Sequence, residues 1–101
     1  MAKCDLCKSE VHPDELFTSG NFTVHYTCFR RKVVKTANLE PNQVKAILDS
    51  LEDELNDVAL YKEKLSNPNL KGDVRKTLER AKKDAEKNAR LLTRLLEKYI
   101  R

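Results

Sequence analysis

Tryptophan is absent from this 101-residue chain, aromatic residues make up 6% of it, and glycine occurs only at Gly20 and Gly72. With 36% of residues charged, so few large apolar rings cannot build a deep globular core, and another source of order is required. Two isolated glycines exclude a glycine-rich phosphate loop. No apolar stretch approaches the roughly 20 residues that span a bilayer, and none follows a basic start as in a secretory signal. The expectation is a soluble, cytoplasmic protein without a membrane partner. Cysteine is scarce too: an odd three cannot all pair as disulfides, and a reducing compartment keeps them as thiols or thiolates, the forms that bind metal.

These cysteines are grouped. Cys4-Asp5-Leu6-Cys7 and His25-Tyr26-Thr27-Cys28 together read C-x2-C-x17-H-x2-C. A structural Zn²⁺ takes four N or S ligands in a tetrahedron, and a C-x2-C pair supplies two thiolates from one tight turn whose N–H groups can bond the sulfurs. At a helix start, the positive end of the helix dipole favours the Cys28 thiolate. Cys4, Cys7, His25 and Cys28 are therefore the predicted ligands of one Zn²⁺. Four ligands leave no open position for a metal-bound water, so the expected ion is structural and not catalytic. His12, five residues after Cys7, is the rival for the imidazole position. The other reading of the cysteines, as small buried apolar side chains, leaves their spacing unexplained.

CDLC and HYTC resemble the first zinc site of LIM-type modules and, more broadly, a treble-clef finger of knuckle, hairpin and ligand-bearing helix. The likeness covers residues 3–36; the second LIM site is missing, since no C-x2-C follows Cys28. The whole chain, finger first and two helices after, is similar to a family of small uncharacterised archaeal proteins with a zinc-ribbon start. The resemblance implies the same four ligands and brings no activity.

The pattern along the chain predicts a mainly α protein with a small α+β zinc module: a finger over residues 1–38, then a long antiparallel two-helix coiled coil over 39–101. Residues 15–24 read as two β-prone runs about a Ser19-Gly20-Asn21 reversal, and a short helix carrying Cys28 follows from Tyr26 to about Asn38. Pro41 suits the first position of a helix. Val44, Leu48, Leu51, Leu55, Val58 and Leu65 form a heptad seam that lacks only the Lys62 slot. Pro68 and Gly72 break the helix near residues 66–73. A second seam is predicted through Val74, Leu78, Ala81, Ala85, Asn88, Leu92, Leu95 and Tyr99. Helices of this length make a rod on the order of 40 Å. The run 91–100 carries more apolar residues than a two-helix pair can bury, so Leu91, Leu96 and Ile100 are expected to meet Phe29, Val33, Val34 and Leu39 of this chain or of a second copy.

Charge is segregated. Residues 1–38, 39–69 and 70–101 carry +2, −4 and +6 within a net +4. This predicts pairing of Asp49, Glu52, Asp53 and Asp57 with the basic last helix, which would fix antiparallel register and spend its positive field. No constellation for catalysis is present outside the zinc set, so neither an enzyme nor a small-molecule substrate is expected. Two functions remain open: a protein-interaction or assembly module, including self-association through the helices, and, as the alternative, nucleic-acid binding through Arg30, Arg31, Lys32 and Lys35 with Arg90 and Arg94 on the last helix.

Overall fold

The computed structural model describes residues 2–12, 16–19 and 22–100. Four short strands precede three helices: β1 (Ala2–Lys3), β2 (Glu10–Val11), β3 (Leu16–Ser19), β4 (Phe22–His25), α1 (Tyr26–Thr36), α2 (Pro41–Leu65) and α3 (Gly72–Glu97). The fold is thus mainly helical with two small antiparallel sheets. β1 pairs with β2 and β3 with β4, the latter in the register Leu16↔His25 to Ser19↔Phe22. The reversal predicted at Gly20 and Asn21 lies outside the described residues. None of the helices among the described residues is long and apolar enough to cross a membrane.

α2 and α3 run antiparallel, as three contacts fix. The Arg75 side chain at the start of α3 donates to Leu65 at the end of α2, Asn88 reaches Glu54, and the Asn38 N–H donates to the Tyr99 carbonyl at the far end. The described residues extend over 46 × 31 × 18 Å, in keeping with the predicted rod. At the connecting turn the Asn67 side chain accepts the Asn69 N–H, an Asx turn. Arg75 bridges the turn, with Nη1 3.0 Å from the Leu65 carbonyl and Nη2 2.7 Å from that of Asn67. The first is one of the carbonyls that a helix C-terminus leaves without partners, and the second lies in the turn just beyond it. Arg75→Ala is expected to cost about 1 kcal/mol in urea unfolding. Arg75→Lys should recover little of it, because an ammonium cannot supply the two-pronged geometry.

One continuous core holds the molecule together. Cys4, Val11, Phe17, Val24, Phe29 and Val33 from the strands and α1 pack with Val44, Leu48, Leu51, Ala89 and Leu96 from the long helices. Phe17 lies between Tyr26, at 5.3 Å and edge-on, and Phe29 at 4.8 Å. Leu96 is fully buried and Ile100 packs against the core, so this chain's own interior takes up that part of the C-terminal apolar surplus. Leu91 (54% exposed) and Val34 (58%) stay outside.

The seam of α2 follows expectation: Val44, Leu48 and Leu51 are buried, Leu55, Val58 and Leu65 half-buried, and Lys62 exposed. That of α3 does not. Val74, Asn88 and Leu95 are exposed, and in the second half of the helix Ala89, Thr93 and Leu96 are buried instead. The inward face runs Leu78, Ala81, Ala85, Ala89, Leu92, Leu96, Ile100, in steps of three, four and four. An α-helix drifts about 20° per heptad; α3 keeps its natural twist and rotates its face towards β3, which packs against it alongside α2.

Candidate metal centre

Cys4 directly follows β1, and the turn to β2 is built around it. Its N–H donates to the Ser9 carbonyl, and its own carbonyl accepts the N–H of Lys8, which takes the left-handed backbone (φ 68°) that closes so tight a loop. The Cys7 N–H points at Cys4 Sγ, 3.4 Å away, and the His25 N–H at the same sulfur, 3.5 Å away. Asp5 latches this turn to β4: its N–H donates to the Thr23 carbonyl and its carboxylate accepts the Thr23 N–H at 2.9 Å. The latch sets the first pair of ligands beside the second. His25 closes β4 and stands at the N-cap of α1, and Cys28 lies in that helix's first turn.

The four donor atoms lie within 4.8 Å of one another. Nδ1 of His25 is 3.3 Å from Cys7 Sγ and 3.7 Å from Cys28 Sγ. A tetrahedron with Zn–S near 2.3 Å and Zn–N near 2.0 Å separates its N and S corners by about 3.5 Å. The other ring nitrogen, Nε2, is 3.0 Å from the Glu10 carbonyl. A backbone acceptor on one imidazole nitrogen fixes the tautomer and turns the other nitrogen's lone pair towards a metal. The donor set therefore fits one ion held by Cys4 Sγ, Cys7 Sγ, His25 Nδ1 and Cys28 Sγ. His12 is exposed and takes no part in the cluster.

The thiols differ in their surroundings. Burial pushes Cys4 up, but backbone N–H groups of Cys7, His25 and Leu6, with the His25 ring, outweigh it and bring the thiol down to about 6. Cys7 is lowered chiefly by its backbone hydrogen bond with Ser9. His25 is raised, first by its hydrogen bond with Cys4, against burial. Cys28 departs from expectation: burial, followed by its contacts with Cys7 and Cys4, pushes it up to about 11. Two electron-rich sulfurs and partial desolvation outweigh the helix dipole at this position. A divalent cation at the centre of the four reverses that balance.

The basic candidates fall in three places. Arg30 pairs with Glu52 at 3.4 Å. Arg31, Lys32 and Lys35 line a shallow groove beside Cys7 and Cys28. Arg90 and Arg94 edge a different hollow, between β3 and the long helices. The predicted ion pairs between α2 and α3 do not form among the described residues. Glu52 turns to α1, and the other pairs, Lys45 with Asp49 and Lys82 with Glu86, stay within one helix. The α2–α3 interface is set by apolar packing, and the acids of α2 lie beyond reach of the outward basic residues of α3. Two parts of the site escape sequence reasoning: the Asp5 latch, and the Glu10 carbonyl on Nε2. A backbone acceptor leaves no trace in residue identity. Asp5 had one, as the polar residue directly after the first ligand.

The family described as an uncharacterized protein conserved in archaea (DUF2175) matches residues 2–98. The chain belongs to that family. None of the curated proteins or solved structures compared with it matches.

Proposed function

We propose that this archaeal-family member is a non-enzymatic, zinc-anchored binding module of the cytoplasm. One structural Zn²⁺ on Cys4, Cys7, His25 and Cys28 holds a treble-clef finger, and the finger braces the base of an antiparallel coiled-coil hairpin whose outer surface meets another macromolecule. The observation that carries this reading is the closed set of four converging donors, with the imidazole's second nitrogen committed to a backbone carbonyl. Four protein ligands leave the ion no position at which to activate water, which supports a structural role.

Two partner classes were open on the sequence. Protein partners and self-association were motivated by apolar residues at 91–100, but Leu96 and Ile100 are occupied within this chain, leaving Leu91 and Leu95. On the sequence, nucleic acid is disfavoured because α2 acids would neutralise α3; those pairs are not made among the described residues. The balance moves to nucleic acid. Native mass spectrometry with light scattering at tens of micromolar tests the module: one zinc per 11.7 kDa monomer is expected. A metal-free chain that is fully ordered at residues 2–36 would overturn the metal-anchored reading, and a stable dimer would return self-association to first place.

A further inference from the structure

A narrow strip along the outward face of α3 carries one sign of charge only. Lys76, Arg80, Lys83, Lys87, Arg90 and Arg94 recur at intervals of four and three, and Lys98 at the C-cap continues the row; all seven are exposed. At 3.6 residues per turn they fall within a sector of about 80°, opposite the buried seam, and no other residue after Gly72 among the described part of α3 shares it. The five acids of α3, Asp73, Glu79, Asp84, Glu86 and Glu97, all lie outside the sector. The row is about 33 Å long at 1.5 Å per residue.

A face that merely keeps a helix in water mixes its signs, since Glu–Lys neighbours three or four residues apart stabilise it and like charges at that spacing oppose it. Here successive members of the row repel one another, and the acids three or four residues away stand only on its flanks. Four of the acids nearby are engaged elsewhere, Glu86 with Lys82, Glu97 with the Ser19 hydroxyl, Glu54 with Asn88 and Glu52 with Arg30, while Asp73, Glu79 and Asp84 flank the row, exposed. None of the seven basic groups is paired with an acid among the described residues.

We propose that this row is a docking surface for the phosphate backbone of double-stranded DNA, bound without regard to sequence. The inference names the partner of the module proposed above and rests on that reading. A straight, unneutralised row of cations complements an array of phosphates and gains from release of their counterions. The row has no aromatic ring on which an unpaired base could stack; Tyr99, the one aromatic nearby, is half-buried. It also has no Asn or Gln to read an adenine edge, and only its arginines could meet a base. Asn88 lies off the row and bonds Glu54. Backbone contact to a duplex is what such a row can make.

The test is fluorescence anisotropy of a labelled 20-base-pair DNA duplex of arbitrary sequence, titrated with the zinc-loaded full chain between 50 and 200 mM salt. If five or more phosphates are engaged, the logarithm of affinity falls against that of salt with a slope of about −4.5 or steeper. The triple variant K83A/K87A/R90A should flatten the slope by about 3 and weaken binding at least tenfold at 100 mM salt. K45A/K62A/K64A, which removes as much charge from α2, should leave the slope within about 1 of the original. Absence of duplex binding at 50 mM salt would overturn the proposal. So would equal losses in both variants, or tighter binding of a single strand, polyglutamate or phosphatidylserine vesicles. Zinc content and helical circular dichroism, measured on the same samples, distinguish the two failures: a chain that holds its metal and ignores DNA refutes the docking surface alone.

Discussion

Cys28→Ser, like exhaustive chelation of the wild-type chain, is expected to empty the metal centre and melt residues 2–36, while most of the helical signal survives. The strands of this segment are two and four residues long, too short to persist alone, and α1, at 11 residues, is below the length at which isolated helices hold in water. Structural zinc contributes about 10–16 kcal/mol of apparent binding free energy in small zinc folds, as much as the whole stability of a typical domain. Cys28 holds the helix end of the cluster, so its loss separates α1 from the Cys4–Cys7 turn. α1 supplies 11 helical residues against 25 and 26 in α2 and α3, so its melting alone should lower the 222 nm ellipticity by roughly a sixth. The shared core adds to that loss, because Val44, Leu48 and Leu51 lose Phe29 and Val33 as partners and the base of the hairpin frays. Metal analysis, circular dichroism and hydrogen exchange read the three parts separately. An unchanged metal content in Cys28→Ser would remove Cys28 from the ligand set, and complete loss of helical signal would show that α2 and α3 depend on the finger throughout.

How much of this was legible in the sequence follows from which constraints are local. The Cys4, Cys7, His25 and Cys28 cluster was legible because metal coordination imposes residue type and spacing together, and the structure brings those four side chains close enough to hold an ion. Pro41 marked the start of α2, and the Pro68–Gly72 break marked its end, because both act through their own backbone. The α3 seam was misassigned at Val74, which lies exposed beside the connecting turn, and beyond Ala85, where two templates compete: with leucines at 91, 92, 95 and 96, three-four and three-four-four spacing both find apolar residues. The decision belongs to the neighbour, β3, which the sequence places far away. The expected α2–α3 ion pairs failed for a related reason. Opposite net charge on two segments does not set which faces meet, and the basic row of α3 turned out to face away from α2.

That corrected seam is testable through two adjacent leucines. Leu95 and Leu96 are identical in type and propensity and adjacent in the chain, yet Leu96 is 0% exposed within the core and Leu95 36% exposed. Truncating a fully buried leucine removes its transfer free energy and leaves a cavity, at a cost of about 2–5 kcal/mol. For Leu96→Ala the upper part of that range is expected, since Leu96 lies where the core elements of the finger meet those of the long helices and neither side can collapse without shifting the other. Leu95→Ala should cost less, about 1–2 kcal/mol, because about a third of the side chain still meets water and its removal leaves no closed cavity. The heptad seam reverses the order, placing Leu95 inside and Leu96 at its margin. Urea unfolding of the two zinc-loaded variants decides between them: a larger loss for Leu95→Ala would restore the heptad and refute the rotated face of α3. With that face rotated back, Arg90 and Arg94 would turn with it, so the pair of measurements also checks the geometry on which the outward basic row depends.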